Sequence, residues 1–141
     1  MGVTEKYDIL NILEFNSDRK RMSAIVRTPA KQLKLYTKGA DSIIAKRLTP
    51  ESLVEFSATE AALTVFATEG LRTLCLASVE LTESRYRDWK KRYEAALAMP
   101  KTGAASNAKL REEKLDELMS EIESNLTLLG ATAIEDQLQV F

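Results

Sequence analysis

Histidine is absent from this chain of 141 residues. Its absence rules out histidine-activated nucleophiles, histidine metal ligands and the side chain that normally titrates near neutral pH. Cysteine occurs once, as Cys75. A single cysteine closes no internal disulfide and builds no cysteine-rich zinc site. Cys75 lies in the apolar run Leu74-Cys75-Leu76-Ala77. A free cysteine in such a run packs as a small hydrophobe; the alternative is a reactive thiol. There is no excess of either charge. Twenty Lys and Arg stand against 21 Asp and Glu, for a net charge of -1. No global field therefore favours nucleic acid or anionic lipid. Long apolar runs are missing too. The longest uncharged run, Ser124 to Ile134, has 11 residues, against the roughly 20 that a spanning helix needs. The first residues show no basic segment followed by an apolar core, so no secretory signal is expected. A reducing, cytosolic setting is the expectation.

Hydrophobic residues make up 45% of the chain and charged ones 29%. That balance suits one globular domain with its own core. Residues 7–16 read as a first strand. Met22-Ser23-Ala24-Ile25-Val26-Arg27 alternates and reads as a second. Leu33-Lys34-Leu35-Tyr36-Thr37 alternates strictly and reads as a third. The turn Thr28-Pro29-Ala30-Lys31-Gln32 between the last two makes a hairpin. Asp41 is placed to cap a short helix through Arg47. Thr49-Pro50-Glu51 opens a longer helix with a hydroxyl cap, a proline and an acid. Val54, Ala58, Ala61, Ala62 and Val65 give it an apolar face, and Gly70 ends it. Leu74 to Ala77 is apolar on both parities, as in a strand covered on both faces. Thr82-Glu83 starts a helix with Tyr86, Trp89, Tyr93 and Leu97 at helical spacing. Pro100 to Asn107 reads as a loop. A charged helix follows, with Leu115, Leu118, Met119, Ile122 and Leu126 on one face, and residues 128–136 read as a strand running into a loop.

Several short blocks can carry chemistry. Phe15 ends the first strand beside Asn16-Ser17-Asp18. An aromatic ring at a strand rim can stack on a purine; the plain reading is core packing. Arg19-Lys20-Arg21 can attract phosphate, or it can be a solvated turn. Lys38-Gly39-Ala40 sets an ammonium beside backbone N–H groups at a helix start. That suits an anion, or a lysine lying against a base; the plain reading is a surface turn. It is not a Walker A loop, because the lysine precedes the glycine. Arg72, just past Gly70, can bind phosphate bidentately or pair with a carboxylate. Glu135 and Asp136 would point to opposite faces of a strand, which makes them a poor acid–base pair.

Taken together, four segments resemble the P-type ATPases of the lipid-flipping branch. They are Phe-Asn-Ser-Asp-Arg-Lys-Arg-Met-Ser at 15–23, Leu-Tyr-Thr-Lys-Gly-Ala-Asp at 35–41, Glu-Gly-Leu-Arg-Thr-Leu-Cys at 69–75 and Asn-Leu-Thr-Leu-Leu-Gly-Ala-Thr-Ala-Ile-Glu-Asp at 125–136. The resemblance runs from about Tyr7 to Gln139. It implies a nucleotide-binding domain of α/β (α+β) type, with a mostly antiparallel twisted sheet flanked by helices. It implies that Phe15 stacks on adenine, that Met22 walls the same pocket, that Lys38 lies against the base and that Arg72 engages phosphate. ATP is the implied ligand, with Mg supplied through a separate phosphorylation domain. The intact protein would couple ATP hydrolysis to phospholipid movement between leaflets, from the cytosolic face of a membrane. Its phosphorylation and membrane domains are the implied partners; nucleic acid and direct membrane insertion by this chain are not.

The chain also departs from that family's full pattern. It has no Asp-Lys dipeptide, so the phosphorylated Asp-Lys-Thr-Gly-Thr motif is missing, and no Gly-Asp-Gly block. No catalytic residue is therefore assigned. The chain is expected to be a piece of such a protein. Residues 1–127 would be part of the nucleotide domain and 128–141 the start of a return to the phosphorylation domain. A rival reading is a non-catalytic interaction module that uses helices 83–98 and 108–127 as partner surfaces. A third, RNA binding through Arg19-Lys20-Arg21, is opposed by the acidic pI near 5.7.

Overall fold

The computed structural model describes residues 2–101 and 105–135, with the side chains of 105 and 106 excepted. Five strands form one antiparallel sheet in the order of the chain: β1 (Asp8–Leu13), β2 (Arg21–Arg27), β3 (Leu33–Gly39), β4 (Arg72–Leu81) and β5 (Thr127–Ile134). Between β3 and β4 lie α1 (Asp41–Ala45) and α2 (Pro50–Thr68). Between β4 and β5 lie α3 (Glu83–Leu97) and α4 (Ala105–Ile122). The expected antiparallel sheet with flanking helices is what the chain adopts.

Alternation decides which face of the sheet is covered. Ser23 and Ile25 of β2, Leu33, Leu35 and Thr37 of β3, and Cys75, Ala77 and Leu81 of β4 are buried. Their apolar members join Ile44, Phe56, Leu63, Trp89, Leu118 and Ile122 in one core. The opposite parity carries Met22, Ala24, Tyr36, Lys38 and Leu76, which are half-buried or exposed. The strand around Leu74 to Ala77 is thus covered on one face and half-open on the other, not covered on both. Cys75 has no exposure, and burial pushes its thiol up to about 11. It is a packed core residue, as its apolar run implied.

The turns follow from their side chains. The β1–β2 turn is built by Asn16. Its Oδ1 accepts from the N–H groups of Asp18 and Arg19, and its carbonyl accepts from Lys20 N–H at 2.8 Å. In the β2–β3 turn, Thr28 exchanges backbone bonds with Lys31 and Gln32, and Lys31 takes a φ of 67°. Thr49 caps α2 by accepting from Ser52 N–H, with Pro50 next. Thr82 caps α3 by accepting from Arg85 N–H. Gly70 leaves α2 with a φ of 79°, the left-handed geometry a helix exit favours.

Some local expectations are corrected. Asp41 does not cap α1. The cap position is Ala40, which has no side-chain bond, and Asp41 sits in the first turn, accepting from Ser42 N–H. The helix ends at Ala45 rather than Arg47. On α2 the buried residues are Ser52, Phe56 and Leu63; the expected face of Val54, Ala58, Ala61, Ala62 and Val65 is exposed. The helix after Pro100 begins at Ala105, inside the stretch read as a loop. Residues 102–104 of that stretch, and Asp136 onward, lie outside the described residues.

Helices α3 and α4 pack on one another. Trp89 Nε1 donates to the Leu118 carbonyl at 2.7 Å, and its ring stacks on Tyr93 with centroids 4.6 Å apart. The aromatic face of α3 and the apolar face of α4 are therefore core, not the partner surfaces of the interaction-module reading. Strand β5 pairs with β4 from Arg72↔Ile134 to Ser78↔Thr127. The boundary expected after residue 127 falls one residue into this strand.

Candidate functional site

The meander brings five strand tips to one end of the sheet: the ends of β1, β3 and β5 and the starts of β2 and β4. All four expected site residues stand at this end. Phe15 lies in the β1–β2 turn, two residues past Leu13, and is 61% exposed. Met22 is the second residue of β2, Lys38 the last but one of β3, and Arg72 the first of β4.

Two of the four meet in one cavity. Met22 is the register partner of Lys38, and Lys38 is the partner of Leu76. The three lie in a row across the open face, each about 5 Å from the next by strand spacing. Together with Ala24, Tyr36, Thr37, Ala77 and Leu129 they line an apolar hollow of about 180 Å³. Phe15 and Arg72 stand outside that lining. Arg72 shares the open face with Leu76, four residues along β4, or about 13 Å by strand rise. It is exposed and pairs in register with Ile134.

Sequence patterning made part of this hollow legible. Ala24 and Tyr36 follow from the same alternation that places Met22 and Lys38. Leu129 does not. It enters through a β-bulge, where Leu76 pairs with Gly130 and Ala77 with Leu128, leaving Leu129 between them. An extra residue in one strand re-aims a side chain, and nothing in the run Leu128-Leu129-Gly130 announces that.

The start of β2 is locked to the end of β3. Ala40 N–H donates to the Lys20 carbonyl at 3.1 Å. A methyl group on Gly39 would meet that carbonyl and the Arg21 Cβ at 2.6 Å each. Gly39 is thus required by close approach. Because the Ala40 N–H is engaged, the anion geometry considered for Lys38-Gly39-Ala40 loses a backbone donor. The lysine lying against an apolar hollow remains.

The basic run Arg19-Lys20-Arg21 is not a solvated turn. Only Lys20 is exposed, with a φ of 55°. Arg19 and Arg21 are 5% and 6% exposed. Both turn toward Glu123, just past α4, which has no exposure at all. Arg19 donates through Nη1 and Nη2 to the two carboxylate oxygens at 2.5 and 3.2 Å. Arg21 Nε lies 3.2 Å from the same carboxylate, and Ser23 Oγ donates to it. The turn that carries Phe15 is therefore clamped from beneath by α4. Glu123 was not singled out from the sequence; it is one acid among many in a charged helix. Glu135 is exposed at the end of β5.

Among the described residues no helix is long and apolar enough to cross a membrane, and no group of three or more His, Cys, Asp or Glu gathers as a metal site.

The family profile described as P-type ATPase, cytoplasmic domain N, matches residues 1–140. The phospholipid-transporting ATPase dnf2 of Schizosaccharomyces pombe is 49% identical over 140 residues, which is 99% of this chain and 9% of that protein. The human phospholipid-transporting ATPase IC is 49% identical over 139 residues, 99% of this chain and 10% of that protein. The phospholipid-transporting ATPase DRS2 of Saccharomyces cerevisiae is 49% identical over 138 residues, 98% of this chain and 10% of that protein. The chain spans about a tenth of the length of these curated relatives.

Proposed function

The chain belongs to the P-type ATPases as their cytoplasmic domain N, and from that premise we propose that it is the ATP-holding part of an enzyme that couples ATP hydrolysis to phospholipid translocation between membrane leaflets. The translocation follows the printed names of relatives 49% identical across the chain. The observation that carries the binding role is the facing of Met22 and Lys38 in one apolar hollow at the sheet end where the strand tips meet.

The hollow takes the adenine base. Met22 supplies an apolar wall, and Lys38 lies along the base with its ammonium at the edge. Phe15, exposed on the clamped turn, stacks on the free face of the ring. Arg72, farther out along β4, engages the phosphates. A guanidinium that carries charge at every physiological pH suits that distal place, and the apolar hollow suits the base.

No residue of this chain is given a catalytic role. Phosphoryl transfer needs an in-line nucleophile and neutralisation of developing charge. Mg is the metal such a step uses. It is assigned to the phosphorylation domain of the intact protein. That domain and the membrane domain are the proposed partners, and the cytosolic face of a membrane is the proposed location. The return toward the phosphorylation domain is proposed for the chain beyond Ile134, because β5 through Ile134 belongs to this sheet by its pairing.

Titrating ATP into isotope-labelled protein tests the reading. Amide signals near 15–22, 38–40 and 72 should move, with a Kd between roughly 10 μM and a few mM. A folded sample whose spectrum stays unchanged at several times that upper limit would overturn it.

A further inference from the structure

We propose a second ligand site, for a tetrahedral oxyanion of the phosphate class, in the cleft between the start of β2, the end of α1 and the end of α4. The cleft holds about 330 Å³, and its lining includes Arg21, Lys46, Arg47, Ser124 and Asn125 beside the apolar Ile43. It lies on the helix-covered side of the sheet. Arg21 and Met22 are consecutive residues of a strand and point to opposite faces. The site therefore stands apart from the hollow assigned to the base, and does not depend on it.

Charge is the first argument. Three cations line the cleft and no carboxylate does. Arg19 stands beside Arg21, and among the described residues Glu123 alone answers the two at contact distance. Arg19 holds both carboxylate oxygens, and Ser23 takes a further bond. Asp116 acts on Arg21 only as the weakest of the charges it feels. Burial of these guanidinium groups holds Arg21 and Arg47 below their usual range; Arg21 is also repelled by Arg19, and Arg47 by Arg21 and Arg19. An excess of buried positive charge is costly without a counter-ion.

Unused hydrogen-bonding capacity is the second argument. Arg21 is 6% exposed; its Nε lies 3.2 Å from the Glu123 carboxylate and its Nη1 is engaged by the Arg19 carbonyl, while among the described residues no hydrogen bond engages its Nη2. A guanidinium offers five N–H donors. Arg47 is fixed differently. It donates to the carbonyls of Ser120 and Glu123 and to Ser120 Oγ, closing the end of α4. Its guanidinium is thereby held still at the cleft wall. A fixed fork, a buried fork with its Nη2 unengaged and an exposed lysine make a receptor for a compact oxyanion.

The test uses the whole 141-residue chain. Inorganic phosphate is titrated at constant ionic strength, against sodium chloride, while side-chain signals of Arg21 and Arg47 and the amide of Asn125 are followed by NMR. Saturable movement of these signals with phosphate is expected. Lys46 is exposed and outside the buried network, so Lys46→Glu should fold normally and weaken phosphate about tenfold or more. Adenosine, which carries no phosphate, should leave the Arg47 side chain unmoved. Linear, unsaturable shifts equal to those in chloride would overturn the site. So would unchanged phosphate affinity in Lys46→Glu, or movement of Arg47 with adenosine.

Discussion

The carboxylate of Glu123, without exposure at the end of α4, receives both Nη groups of Arg19 across 104 positions of sequence. The contact joins the helical layer to the β1–β2 turn. It also holds Arg21 and Ser23, so one acid organises three residues of the turn and the strand that follows it. Removing that acid leaves two arginines buried without their partner. Breaking a buried pair in this way costs about 3–5 kcal/mol. Glu123→Gln should therefore lower unfolding stability by about that amount, measured by urea denaturation. A loss within about 0.5 kcal/mol would mean that the pair contributes nothing net.

Gly39 gives a sharper local test. A Cβ there would stand 2.6 Å from the Lys20 carbonyl and from the Arg21 Cβ. One of these is backbone, so the two strand ends must separate. Gly39→Ala should destabilise the fold by about 1–3 kcal/mol, the usual cost of overpacking. It should also break the Ala40 to Lys20 bond and shift Lys38. Amide exchange at Ala40 is the direct readout. Protection equal to the parent's would show that the ends move apart without loss.

How legible was this arrangement in the sequence? Alternating segments declared themselves. Leu33 to Thr37 and Met22 to Arg27 became β3 and β2, and their outward parity placed Met22 beside Lys38. Caps were legible where a hydroxyl precedes a helix, at Thr49 and Thr82. Helix α2 misled because its apolar and polar residues are spread over every side, so periodicity cannot fix which face turns inward. Small Ser52, with Phe56 and Leu63, faces the core, while Val54 and Val65 face out. The Glu123 clamp was hidden for another reason. A charged residue near a charged helix reads as solvated until tertiary contacts bring its partners to it.

The exposure of Phe15 separates two roles that the sequence left open. A core phenylalanine loses several kcal/mol of stability on truncation. A ring 61% exposed on a turn does not. Phe15→Ala should leave the urea midpoint nearly unchanged, within about 0.5 kcal/mol. It should nonetheless weaken ATP by about 1–3 kcal/mol, the worth of base–aromatic stacking. Phe15→Trp should retain most of the affinity. Unaltered ATP binding in the folded alanine variant would reject the stacking role.

Lys38 and Arg72 should fail in different ways. Lys38 lines the apolar hollow beside Met22, the place proposed for the base. Arg72 lies about 13 Å along the strand from Leu76, by strand rise, and outside the hollow. In the proposed pose the base lies against Lys38 and the phosphates extend toward Arg72. Lys38→Ala should therefore weaken adenosine, ADP and ATP alike. Arg72→Ala should leave adenosine unchanged and weaken ATP most, because its guanidinium meets only the charged end of the ligand. The salt dependence of ATP affinity should fall in Arg72→Ala, since a screened charge pair has been removed. Titrating the three ligands against both variants at two ionic strengths distinguishes the roles. The same ligand profile in both would mean that the two cations act at one place, and the assignment of base and phosphate ends would be lost.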